Sequence, residues 1–133
     1  MAPMISIGGL PAAASRLQKA RPQAVLVMAT IAGMYHELAT APEVGDWLNE
    51  AREEPLDAMQ LAAIVEQQRT YTNMTALSSD FVRKQVVARM RSEQLWRELR
   101  GKDDWAGFLP AFEGVVAIAR EEAELRAASL GLA

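Results

Sequence analysis

The residues best suited to chemistry lie in the run Tyr35-His36-Glu37-Leu38-Ala39-Thr40. Its start matches H-E-x-x-H, in which two imidazoles one helical turn apart grip zinc while the glutamate activates water. Here the fifth position is Thr40, and His36 is the single histidine of the chain. A threonine hydroxyl does not replace an imidazole, so the pattern predicts no zinc hydrolase centre. It reads better as a histidine near the C-terminal end of a helix, where a cation suits the dipole. Cysteine is absent. That excludes disulfides, thiolate zinc sites, iron–sulfur clusters and cysteine nucleophiles.

Other candidates are weaker. Ser78, Ser79 and Ser129 lack a G-x-S-x-G elbow, and a serine nucleophile needs an aligned base. Ser78 and Ser79 read as helix caps instead. Gly8-Gly9 is too short for a phosphate loop, and no G-K-[ST] follows. The pairs Glu53/Glu54, Asp103/Asp104 and Glu121/Glu122 are sequence neighbours. Neighbours on a helix point about 100° apart, so they make poor acid–base dyads and read as surface. Arg83, Lys84, Arg89, Arg91, Arg97 and Arg100, with Trp96 as a stacking ring, could form a nucleic-acid face. They scatter round their helix, and the chain carries −3 overall, so no nucleic-acid partner is expected. No catalytic, cofactor-binding or metal-binding residue is assigned.

The elements that would carry these residues are helical. The 133 residues are 50% apolar and 23% charged, a globular composition of one-domain length. Pro3, Ser6, Gly8 and Gly9 predict a flexible N-terminus over residues 1–10, followed by one helical domain over 11–133. Pro11 suits a first helical turn. The helix it opens should run to about Thr40, with a kink or break near Arg21 caused by Pro22. Val25, Met28, Ile31, Ala32, Tyr35, Leu38 and Ala39 form its 3.6-period stripe. Thr40-Ala41-Pro42-Glu43 reads as a capping box for a short helix to Arg52 that buries Val44, Trp47, Leu48 and Ala51. Pro55 should open the next helix, Leu56 to Ala76. A helix from Asp80 should bury Val82, Val86, Met90, Trp96 and Leu99 and stop at Gly101. Asp103-Asp104 opens a last helix. There Phe108, Phe112, Val115, Val116, Ala119, Ala123, Ala127 and Leu130 make the clearest stripe, which ends at Gly131. No segment alternates with period two. The fold class is all-α, a compact bundle of about five or six helices.

Charge is segregated along the chain. Residues 1–36 hold three bases and no acid, residues 37–57 seven acids and one base, and residues 80–102 seven bases and three acids. Acidic helices beside the basic one are the expected consequence. The uncharged stretch Pro22 to Tyr35 has 14 residues, against about 20 for a membrane span. Arg16, Lys19 and Arg21 before that stretch, with Ala39-Thr40-Ala41 after it, imitate a signal peptide. Pro42 after the cut, and His36 and Glu37 before it, argue against cleavage. No membrane partner is expected, and the cytoplasm is the default location.

Three stretches, in this order, resemble the carboxypeptidase Taq family of thermostable metallocarboxypeptidases. They are Ala29 to Leu48, with its His36-Glu37 and Ala41-Pro42-Glu43-Val44-Gly45-Asp46; Ala76 to Val82; and Trp96 to Val116, continued by Arg120 to Ala123. The resemblance implies the helical N-terminal region of that family, which walls the substrate groove. It implies zinc for the family, whose H-E-x-x-H helix and third ligand have no matching positions here, so no cofactor is expected. Ser78 stands where the family has proline, and Pro22 is foreign to the matching helix. The expected function is a non-catalytic helical module in protein–protein association, or a truncated remnant. A second expectation is part of a metallocarboxypeptidase active only with a separate catalytic portion. A third is an unrelated helical regulator. The expected partner is a second copy in a homodimer, or a catalytic-half protein, with the Val25–Leu38 and Phe108–Leu130 helices contributing.

Overall fold

The computed structural model describes the backbone of residues 10–132 and the side chains of residues 22–132. Five α-helices follow one another: α1 Leu10–Ala39, α2 Pro42–Glu53, α3 Ala58–Thr75, α4 Ser79–Leu99 and α5 Trp105–Leu130. A 3-10 turn, Arg100–Lys102, links α4 to α5. No strand occurs among the described residues. The all-α bundle expected from the periodicity is what forms. The N-terminal segment falls outside the described residues, except that Leu10 already belongs to α1.

The central element is α4, which packs against α1 on one side and α5 on the other. The α2–α3 pair forms a hairpin joined to the rest through α3 and α1. Buried apolar side chains among the described residues are few: Val25, Ala29, Leu77 and Phe81. The core is therefore thin and sits where α1 crosses the start of α4. His36, Gln85 and Ser92 are buried beside it. Among the described residues no buried side-chain nitrogen or oxygen lacks a hydrogen-bond partner.

Several local expectations are corrected. The helix α1 continues through Pro22 without a break. The buried face of α1 is Val25, Ala29, Gly33 and His36. Met28, Ile31, Tyr35 and Leu38 of the expected stripe are exposed instead. Small residues at Ala29 and Gly33 let α1 lie close to α4. Thr40 does not cap α2; its hydroxyl donates to the His36 carbonyl at 2.7 Å. Ala41 holds the cap position with no side-chain bond, and Pro42 supplies the first turn. Pro55 does not open α3. Asp57 does, in a reciprocal box: its carboxylate accepts from the Gln60 amide at 2.8 Å, and the Gln60 side chain accepts from the Asp57 amide at 2.9 Å. Asp103, at φ 52°, takes the left-handed position expected of Gly101.

Other expectations hold. Ser78 caps α4, its hydroxyl accepting from the Phe81 amide at 3.1 Å. Asp104 caps α5 through the Gly107 amide at 2.9 Å. Gly131, at φ 67°, ends α5 in the left-handed conformation that glycine adopts freely. α5 runs from Trp105, just after Asp103-Asp104 as expected, and contains Pro110. Val82, Val86, Met90 and Leu99 are half-buried, as are Phe108, Val115, Val116 and Ala127. Against expectation, Trp96, Phe112, Ala119, Ala123 and Leu130 lie on exposed positions. Among the described residues no single helix is long and apolar enough to cross a membrane.

Trp47, expected in the core, is 63% exposed, whereas Phe81 is buried. Chemical denaturation separates the two. Phe81→Ala should cost about 3–5 kcal/mol of stability, and Trp47→Ala less than about 0.5 kcal/mol.

Candidate functional site

The His36 imidazole is 5% exposed, at the junction of three helices. Its Nε2 lies 2.9 Å from the Met74 carbonyl oxygen, near the end of α3. Its Nδ1 lies 3.0 Å from Ser79 Oγ, in the first turn of α4. A carbonyl only accepts, so Nε2 carries a proton and donates to it. In the neutral ring, Nδ1 then accepts from the Ser79 hydroxyl. One ring thus ties α1, α3 and α4 together, and both of its nitrogens are engaged. The helix-end reading of His36 is incomplete: the ring points inward and fastens other elements. Ser79, read as a cap, is instead the hydroxyl partner of that ring.

Glu37, the second residue of the motif, faces away from the imidazole. It is ion-paired with Arg83 of α4, which also donates to Asp80 at 2.8 Å. Hydrogen bonding to Glu37, then to Asp80, pushes the Arg83 guanidinium above its ordinary range. The guanidinium lies across α1 at Gly33. A Cβ there would sit 2.6 Å from Arg83 Cζ, so the glycine leaves the arginine its route to Glu37.

A second polar centre joins α3, α4 and α5 around Glu122. Gln85 donates to its Oε2 at 2.6 Å, and Arg126 donates to Oε1 through Nε at 3.1 Å and Nη2 at 2.9 Å. Arg89 approaches at 3.4 Å. Arg126 also donates to the Asn73 carbonyl at 2.5 Å, reaching α3. Desolvation pushes the Glu122 carboxyl up, but hydrogen bonds from Arg126 and Gln85 and the charges of Arg126 and Arg89 outweigh it. The net result is a carboxyl below its ordinary range. Glu122 is therefore not the surface residue expected of its pair with Glu121. Glu121 binds Lys84 at 2.6 Å, and Arg97 pairs with Glu93. Arg100 stacks on Trp96 at 4.8 Å. Glu37 of α1 and Glu121 and Glu122 of α5 lie against basic α4, but α2, which carries most of the acidic block over residues 37–57, packs against α3 instead.

The α4–α5 elbow holds a pocket of about 210 Å3 lined by Trp96, Leu99, Arg100, Asp103, Asp104, Trp105 and Phe108. Trp105, Phe108 and Phe112 pack ring to ring with centroids 5.8 to 6.1 Å apart. Their i, i+3, i+7 spacing was the available signal. The pocket offers aromatic faces and two carboxylates but no nucleophile with a base. Gly8-Gly9 falls outside the described residues. Glu53/Glu54 and Ser129 lie on exposed positions.

Comparison with known proteins places this arrangement. The model of the carboxypeptidase Taq (M32) metallopeptidase family matches residues 12–132. The chain belongs to the carboxypeptidase Taq family. A relative, thermostable carboxypeptidase 1 of Thermus thermophilus, is 33% identical over 102 residues, which are 74% of this chain and 20% of that protein. The chain thus spans about a fifth of the length of the curated relative it matches. No solved structure matches it. The metal that a carboxypeptidase Taq metallopeptidase implies does not fit the residues present. Among the described residues no group of three or more His, Asp or Glu side chains is placed to hold a metal ion. His36 would have to surrender one of its two structural bonds to become a ligand.

Two stability predictions follow from these polar centres. His36→Ala strips the Met74 carbonyl and the Ser79 hydroxyl of their partner, and should cost about 2–4 kcal/mol in denaturant unfolding. Glu122 contributes stability that is present above the ordinary carboxylate pKa and is lost as pH falls through its lowered folded value. Glu122→Gln should therefore be less stable than the parent by about 1 kcal/mol at neutral pH. The gap should narrow in melts as pH falls below the ordinary glutamate value of about 4.3.

Proposed function

We propose that this chain is a non-catalytic helical module of the carboxypeptidase Taq family that acts through protein association. The observation that carries the reading is the use made of His36. The single imidazole of the chain is spent on fastening α1 to α3 and α4. The exposed apolar side chains along α1 support the second half of the reading. Leu26, Val27, Met28, Ile31, Met34, Tyr35 and Leu38 all face outward. Contiguous apolar patches beyond a few hundred Å2 mark partner surfaces. The uncharged segment that imitates a signal peptide has its other face packed inside the fold, at Val25 and Ala29. That supports a cytoplasmic location.

A second reading draws on length. The chain matches 20% of a thermostable carboxypeptidase, which supports the alternative that it is one portion of a metallocarboxypeptidase active only with a separate catalytic portion. Assaying the purified chain for bound zinc and for release of C-terminal residues from peptides tests both. The first reading expects neither zinc in stoichiometric amount nor release. The second expects release only when a polypeptide bearing an H-E-x-x-H helix is supplied. Stoichiometric zinc and unaided release would overturn both.

A further inference from the structure

The segment from Trp96 to Phe108 bends from α4 through the 3-10 turn into α5. The bend gathers three aromatic rings, one guanidinium and two carboxylates around the elbow pocket of about 210 Å3. Neither the His36 centre nor the Glu122 centre uses any of them. Trp105 and Phe108 meet at 59° with centroids 5.8 Å apart, so they form two walls of a corner. Arg100 covers the Trp96 face, its Cζ 4.8 Å from the ring centroid. Among the described residues no cation covers Trp105 or Phe108. Trp105 is left 59% exposed, a large π surface with nothing packed over it from another helix.

The charges around the pocket are unbalanced. Among the described residues neither Asp103 nor Asp104 has an ion-pair partner. Lys102, beside them, is paired with Glu98 at 3.3 Å. The lining therefore holds two carboxylates against the single guanidinium of Arg100. Asp103 stands at φ 52°, a left-handed backbone that glycine adopts freely and a side chain disfavours. Its backbone amide closes the turn by donating to the Arg100 carbonyl at 3.2 Å. Glycine would serve that turn better. What aspartate adds is a carboxylate at the rim of the pocket.

The geometry points to a binding site for an alkylated ammonium group, such as a trimethylammonium head, seated in the Trp105–Phe108 corner with Asp103 and Asp104 at its rim. Ring faces attract a cation through their quadrupole, but they accept no strong hydrogen bond. A bare ammonium would give up its water there with little in return. Methyl groups in place of N–H leave the charge and pack against the rings. The carboxylates favour a cation over an anion. The size fits a head group, since sites for whole drug-sized ligands run from roughly 300 Å3 upward. Free choline-like molecules and methylated lysine side chains share this group.

NMR of the tryptophan indole N–H signals tests the site. The full chain is titrated with tetramethylammonium chloride at an ionic strength held constant with sodium chloride. The Trp96 and Trp105 signals should shift saturably, while that of Trp47, on α2 and outside the pocket, stays in place. Trp105→Ala, at an exposed position and checked for helical content by circular dichroism, should weaken binding at least about tenfold. Asp103→Gly should weaken it about two- to fivefold in a chain no less stable than the parent. Arg100→Ala removes the neighbouring like charge and should tighten it by a similar factor. Choline and a peptide carrying trimethylated lysine are titrated in parallel. Tighter binding of choline assigns a free small molecule, and tighter binding of the peptide a modified protein. Shifts that stay linear, or that Trp47 shares, would overturn the site. So would affinity indifferent to Trp105→Ala or Asp103→Gly, or equal affinity for 3,3-dimethylbutan-1-ol, the uncharged counterpart of choline.

Discussion

One imidazole holds the arrangement together. A thin apolar core gives this chain little hydrophobic stabilisation to spare, and the apolar side chains it does bury cluster where α1 meets the start of α4. His36 sits at that point and satisfies a backbone carbonyl at the end of α3 and a hydroxyl at the start of α4. Buried polar groups are costly unless paired, so these three elements share one geometry or lose it together. The same two bonds that fix the fold withdraw the only histidine from metal chemistry.

The helices themselves were legible. Their number, order and approximate limits follow from the 3.6-residue periodicity and from the proline, serine, aspartate and glycine punctuation. The caps Ser78, Asp104 and Gly131 were read correctly because each offers one dominant hydrogen bond or backbone preference. Thr40 misled because a threonine hydroxyl has two local options. It bonds the carbonyl one turn back, at His36, in place of the amides ahead. Pro55 misled because proline tolerates a first turn without commanding one, whereas Asp57 and Gln60 satisfy two orphan amides at once.

Burial was the least legible feature. Periodicity selects the stripe with the largest apolar side chains, and on α1 its large members Met28, Ile31, Tyr35 and Leu38 face outward. The inward face is built of Val25, Ala29, Gly33 and His36, whose small size permits close approach to α4. Which of two apolar faces meets a neighbour depends on backbone proximity, and a single sequence does not display it. The site was hidden for the same reason. Ser79 and His36 are 43 residues apart, and Glu122 meets Gln85 across 37, so no local motif announces either contact. Membership in the carboxypeptidase Taq family, legible from three stretches, says which larger proteins these helices resemble and leaves their packing to be seen.

The central claim is that His36 is a structural tie with both nitrogens committed. Nitrogen-15 NMR of the imidazole, recorded while zinc is titrated into the protein, tests it most directly. The account predicts a ring protonated at Nε2, with Nδ1 accepting a hydrogen bond, and resonances that zinc leaves in place. A ring whose nitrogens shift in saturable proportion to added zinc would contradict it.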